Sequence, residues 1–238
     1  MSNWKPKRFW KEATVVKADT GWQVLLDGRR VRTPAKAALS VPTRAYAEAV
    51  AAEWDAQLEE VDPATMPVTR SANAAIDKLS IQREEVIDML AAYGETDLLC
   101  YRATDPQELV LRQAERWDPV LAWANARYGV ALRPISGVMF AQQPVDSLPR
   151  LREEIAKFDS FSLAAFHDLV ALSGSLVLGL AVTSGQLAAD TAWSLSRLDE
   201  DWQAEQWGVD DEAAEAAAIK QEAFAMAAKV FSLASSKA

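Results

Sequence analysis

Apolar and polar residues alternate with a period of two over roughly the first 42 residues, and after Pro42 the apolar positions recur at helical spacing. Residues 13–18 carry Thr14, Val15 and Val16, and a turn at Asp19-Thr20-Gly21 leads into the alternating run Trp22–Leu26. Asp27-Gly28 follows directly, a dipeptide that suits a two-residue hairpin because glycine accepts the positive φ such a turn needs. Short runs at 30–33 and 38–41, closed by Pro34 and Pro42, complete a predicted antiparallel meander with a basic outer face.

From Thr43, a helix N-cap residue, the pattern predicts a helix to about residue 59, with Tyr46, Val50, Trp54 and Leu58 as one stripe. Pro63 and Pro67 bracket a loop. A second helix starts near Thr69 and turns Ala72, Ile76, Leu79, Val86 and Leu90 inward. Residues 107–128 form a third, which Pro119 should kink or split. Residues 131–143 read as extended or loop, and helices follow at about 146–158, 161–183, 188–206 and 210–234. Asp146, Ser160 and Asp210 serve as predicted N-caps, and Gly185 and Gly208 as stops. The expected fold class is α+β: a small antiparallel β-rich N-terminal domain with one packed helix (1–64), then a larger all-helical C-terminal domain (65–238).

Composition changes this picture in two ways. The net charge is −9, but residues 1–44 carry +7 and the remainder −16, so the two regions present surfaces of opposite sign. An acidic chain is a poor non-specific binder of nucleic acid, which needs clustered Lys and Arg. The most apolar stretch, 163–182, contains His167 and Asp168 and reads as a buried core helix rather than a membrane span, so no stable membrane insertion is expected. The one cysteine, Cys100, forms no intrachain disulfide and fits a reducing compartment.

Catalytic chemistry finds little support. The only histidine, His167, lies next to Asp168, and neighbours on a helix are not expected to face one another. One His and one Cys are too few for a zinc site, and no phosphate-cradling glycine loop occurs. Ser173-Gly174-Ser175 lacks the spacing of a nucleophile elbow and suits close helix packing. The enzyme alternative is a small-molecule hydrolase or transferase using carboxylates such as Glu53, Asp55, Asp62 and Asp77 between the domains. Most of the nine tryptophans fall on apolar faces and suit core packing, with partner anchoring as the alternative.

Several segments in order resemble the F1-ATPase assembly chaperones that act on the α subunit, the ATP synthase F1 complex assembly factor two family. They are Arg8-Phe9-Trp10-Lys11, Leu26-Asp27-Gly28-Arg29 with Thr33-Pro34, Glu53-Trp54-Asp55-Ala56-Gln57, Met66-Pro67-Val68-Thr69 and Ala75-Ile76-Asp77. Thr96-Asp97-Leu98-Leu99, Tyr101-Arg102, Gln113, Trp117-Asp118-Pro119, Gly174-Ser175, Asp199-Glu200-Asp201-Trp202-Gln203 and Trp207-Gly208 continue the series, which spans about residues 8–208. The N-terminus carries no long Arg-rich transit segment, so the resemblance is to a bacterial-type, cytoplasmic member. It implies a β domain followed by a helical one, no enzyme activity, no catalytic residue, cofactor or metal, and the free F1 α subunit as the protein client, protected until it pairs with β.

A free α subunit exposes apolar surface meant for β, and a chaperone must cover that surface reversibly. The first candidate is 199–207, which also carries Asp199 and Trp202: Glu200, Gln203 and Trp207 fall on one helix face, and an acid beside Trp suits a basic client patch. The alternative, a core Trp207 with a merely solvated Glu200, stays open. The second candidate is the helix bearing Glu53 and Trp54, where Trp54 lies on the apolar stripe and suits domain packing.

Overall fold

Asp27 and Gly28 take φ of 46° and 80°, the left-handed pair of a tight hairpin turn, and here glycine's freedom is required. The turn joins β2 (Trp22–Leu26) to β3 (Arg29–Arg30); β1 (Ala13–Lys17) pairs antiparallel with β2 on its other side, Val15 opposite Val24. β4 (Ser40–Val41) pairs with the start of β2. The Asp27 carboxylate accepts from the Lys11 and Glu12 amides at 3.0–3.1 Å. A computed structural model describes residues 7–137 and 140–235. The first residues of the chain and part of the expected 131–143 loop lie outside that range.

Helix α1 (Arg44–Asp55) is capped by the Thr43 hydroxyl, which accepts from the Tyr46 amide, and it packs on β1 and β2 with Tyr46 and Val50 fully buried. It ends four residues short of the expected boundary. Gln57 folds back to bond the Glu53 carbonyl, and Leu58, expected on the stripe, is 82% exposed. Then come α2 (Pro67–Asp77) and α3 (Leu79–Ala92), the latter kinked at Gln82. Ile87 and Leu90 face inward on α3, while Ile76 and Val86 are only half-buried.

β5 (Tyr101–Arg102) precedes α4 (Gln107–Tyr128) and pairs parallel with β6 (Ile135–Ser136). α4 runs through Pro119 as one helix, so of the expected kink or split the split does not occur. Residues 115 and 119 both face solvent, where water can take the carbonyl that proline leaves unbonded. α5 (Ser147–Ile155) starts without a side-chain bond from Asp146, which is itself helical. The predicted helix at 161–183 is two, α6 (Ser160–Ser173) and α7 (Leu176–Thr183), broken where Gly174 takes φ 69°; its cap is Asp159, which accepts from the Ser162 amide, not Ser160. The predicted 188–206 helix is likewise two, α8 (Ala189–Ser196) and α9 (Leu198–Trp207), and α10 (Asp211–Ser235) closes the chain. A small antiparallel sheet followed by helices is thus the α+β class expected. Among the described residues no helix is long and apolar enough to cross a membrane.

The described residues pack as two units. One gathers the chain up to Arg83 with Asp159–Ala165 and the segment from Lys229 on; the other holds Glu84–Phe158 and Phe166–Ala228. In the first, Tyr46 meets Phe161 edge-on, and the Thr43 hydroxyl donates to the Leu233 carbonyl at 2.7 Å. In the second, the core is Trp117, Leu151, Phe166, Leu169 and the apolar α7. There Asp97 is fully buried and accepts from the Ser175 hydroxyl at 2.7 Å and the Leu99 and Val177 amides at 3.0 Å. Burial pushes its carboxyl above the usual range, against the opposing pull of those donors.

Candidate functional site

The first unit spends its motif residues on its own structure. α2 begins with Pro67, which has no amide hydrogen, and Met66 before it offers no side-chain cap. Glu53, one helix upstream, fills the gap: its carboxylate accepts from the Val68 and Thr69 amides, both at 2.7 Å, and from the Thr69 hydroxyl at 2.6 Å. Trp54 is half-buried and meets Trp10 edge-on, ring centroids 5.2 Å apart. Asp55 accepts from the Ala13 amide, and Gln57 receives the Asp62 amide and donates to Thr65. Asp77 holds the Thr33-Pro34 loop by accepting from the Thr33 hydroxyl at 2.6 Å and the Ala35 amide at 3.0 Å. Asp62 caps the short 3-10 turn Pro63–Thr65. The four carboxylates of the enzyme alternative therefore each close a structural bond within the unit. Among the described residues no group of three or more His, Cys, Asp or Glu is placed to hold a metal.

The His167–Asp168 pair departs from expectation. His167 Nδ1 lies 3.0 Å from Asp168 Oδ1, so these neighbours do touch; both side chains are exposed. Cys100 is buried, and burial pushes its thiol up to about 12, so it is no thiolate nucleophile at neutral pH.

In the second unit, α9 divides its side chains between two tasks. Asp199 accepts from Gln113 Nε2 at 2.7 Å, and the buried Gln113 in turn accepts from the Ala103 amide. Trp202 is buried beneath the Arg112 guanidinium, 4.5 Å from its ring. Arg112 also binds Glu205, at 2.8 Å; this bond lowers the carboxyl below its ordinary value and raises the guanidinium. Asp199 and Trp202 thus fasten α9 to α4, and the Trp117 indole ties the preceding α8 to the same helix by donating to the Leu195 carbonyl. Glu200, Gln203 and Trp207 point the other way and are exposed, Trp207 by 80%, which decides against a core tryptophan. Glu200 pairs with Arg197, at 2.8 Å.

Those three residues border an open groove of about 660 Å³ between α9 and the first half of α10. Gly208, with φ 93°, turns the chain sharply out of α9, and the Asp210 carboxylate caps α10 by accepting from the Glu212 and Ala213 amides. Trp193 lies at the base, stacked at a tilt on Phe224. Ala213, Ala214, Ala217 and Ala218 form the far wall. Trp207 and Val209 are left uncovered beside it. A second depression, about 750 Å³, lies across α9 against α4 and shares Ser194 and Asp201 with the first. Sequence reading missed it. Leu111, on its rim, is out of phase with the buried Gln113-Trp117-Val120-Ala124 stripe, and that phase would have revealed an exposed leucine.

The family model described as ATP12 chaperone protein matches residues 7–125. The crystal structure of Atp12 from Paracoccus denitrificans is 48% identical and superimposes with a TM-score of 0.93, covering 96% of this chain and 98% of that one. The structure of a mutant of the same Paracoccus protein matches equally, at 48% identity and a TM-score of 0.93, with 96% and 97% covered. The mitochondrial protein atp12 of Schizosaccharomyces pombe is 27% identical over 215 residues, 85% of this chain and 74% of its own length.

Proposed function

This chain belongs to the ATP12 chaperone family, and we propose that it serves assembly of the F1 part of ATP synthase by holding the free α subunit in the α9–α10 groove until β takes its place. The observation that carries this reading is the exposed Trp207 beside an open, alanine-walled groove, with Glu200 and Gln203 on the same face. A large uncovered aromatic next to alanine walls is ready-made to cover apolar surface, and the shallow opening lets the client leave again. The acids along the rim suit a basic border on the client.

In this reading Glu200, Gln203 and Trp207 touch the client. Asp199 and Trp202 set the position of α9, and Glu53 and Trp54 act through the stability of the first unit. We place the protein in a bacterial cytoplasm, in keeping with its bacterial relatives and a single buried thiol. The test is co-expression with the F1 α subunit, measuring soluble α. Charge reversal by Glu200→Lys and truncation by Trp207→Ser should each leave the chaperone's melting temperature unchanged and send α into the pellet. Undiminished soluble α with both variants folded rejects the groove as the client site.

A further inference from the structure

Resting on the reading of the α9–α10 groove as the client site, we infer that its occupant is a short amphipathic α-helix of the partner, two to three turns long and basic at its flanks. The first argument is backbone chemistry. Both walls are helices whose amides are already bonded within their own turns, as Asp201 to the Arg197 carbonyl, Gly208 to that of Ala204 and Ala214 to that of Asp210. No strand edge lines the groove. An extended segment laid there would bury its own N–H and C=O groups opposite nothing able to receive them. A helix enters with those groups satisfied and presents only side chains.

The second argument is relief. Ala213, Ala217 and Gln221 lie four residues apart along α10, and Ala214 and Ala218 form a parallel row. Such a methyl-surfaced wall lets another helix approach at the near end of the usual interaxial range of about 8–10 Å. From 213 to 221 it runs roughly 12 Å, the length of about two turns. Nearly every side chain from Asp211 to Ala223 is exposed around the whole circumference of α10, so this half of the helix has an open flank to offer.

The third argument is charge. Glu200, Asp201 and Asp210 line the groove, and Asp211, Glu212 and Glu215 extend the negative border along α10. Arg197, the basic residue of the lining, is paired with Glu200. Lys or Arg on the flanks of the incoming helix, with its apolar stripe toward Trp207 and the alanines, completes the match.

The test uses the full chain with p-benzoylphenylalanine in place of Ala217 or of Trp207, co-expressed with the F1 α subunit, with cross-linked peptides sequenced after irradiation. Both positions should mark one α-subunit segment, with adducts three or four residues apart and basic residues at its ends. Ala217→Glu keeps a good helix former and should lower recovery of soluble α about tenfold, the effect of one lost anchor, with its melting curve intact. Adducts at alternate residues, or scattered over separate loops, overturn the helical occupant and leave the groove as client site. Absence of α adducts at both positions while α remains soluble overturns the site reading itself.

Discussion

Two acid–tryptophan pairs, Glu53-Trp54 in the first unit and the Glu200 and Trp207 of α9 in the second, are chemically alike and structurally opposite. Each oxygen of Glu53 is engaged within the fold, and Trp54 leans on Trp10. Among the described residues Glu200 holds one surface ion pair, and Trp207 touches solvent on most of its surface. Residue type does not distinguish a structural pair from a docking pair; the partners already found by the carboxylate and the indole ring do. The contrast also assigns different measurements to the two pairs: thermal stability to the first and client capture to the second.

The comparison breaks most visibly at Trp54. Trp54→Arg removes the edge contact with Trp10 and puts a charge where an indole packed at a half-buried position, so it should cost about 3 kcal/mol of stability. A denaturant titration with an unshifted midpoint would return Trp54 to the docking class. Glu53→Ala comes next. It strips the cap from a helix that starts with proline, and about 2 kcal/mol is expected, read as a fall of roughly 4–8 °C in melting temperature. The same substitution should leave soluble α recovery per folded chaperone unaltered.

Two further carboxylates sharpen what engagement means, since both are fully bonded and only one is buried. The Asp27 carboxyl lies below its ordinary value of 3.8, first through the Glu12 amide and then that of Lys11. The folded form therefore binds the proton less readily than the unfolded chain, and its stabilisation is present above that value and is lost as pH falls through the folded pKa. Asp97 is shifted upward by burial, so the folded form holds the proton more tightly and its contribution declines as pH rises from 3.8 through the folded pKa. Stability–pH curves of Asp27→Asn and Asp97→Asn, each subtracted from wild type, should slope in opposite directions; parallel slopes contradict the contrast in burial. The smallest stability effect belongs to Trp207→Ser and Glu200→Lys. Both should stay within about 0.5 kcal/mol, as exposed substitutions do, and a larger loss would mean that α9 relies on them for its own packing.

Local rules made much of this legible. The Asp27-Gly28 hairpin, the Thr43 cap and the start of α10 at Asp210 each depend on residues within a few positions, and all appear where the pattern put them. The face shared by Glu200, Gln203 and Trp207 follows from helical spacing alone. What stayed hidden is long in sequence separation. The break between α6 and α7 is held by Ser175 donating to Asp97, 78 positions away. The end of α1 depends on Gln57 reaching Thr65 and Asp62. The alanine wall opposite Trp207 looked like plain helix-forming sequence; it becomes a wall only because the chain reverses at Gly208. Pro119 misled for a different reason: proline breaks a helix where its orphaned carbonyl is dry, and here that side is wet.

The link from Glu53 to the opening turn of α2 has a kinetic corollary. In a peptide spanning only 65–78 the helix would still start at proline but lack its capping carboxylate, and at this length isolated helices are marginal in water. The second helix thus borrows its starting signal from the first, fifteen positions earlier in the order of synthesis. During translation the accepting carboxylate of Glu53 is already made when the Val68 and Thr69 amides emerge, and the two segments should gain protection from amide exchange together rather than one after the other.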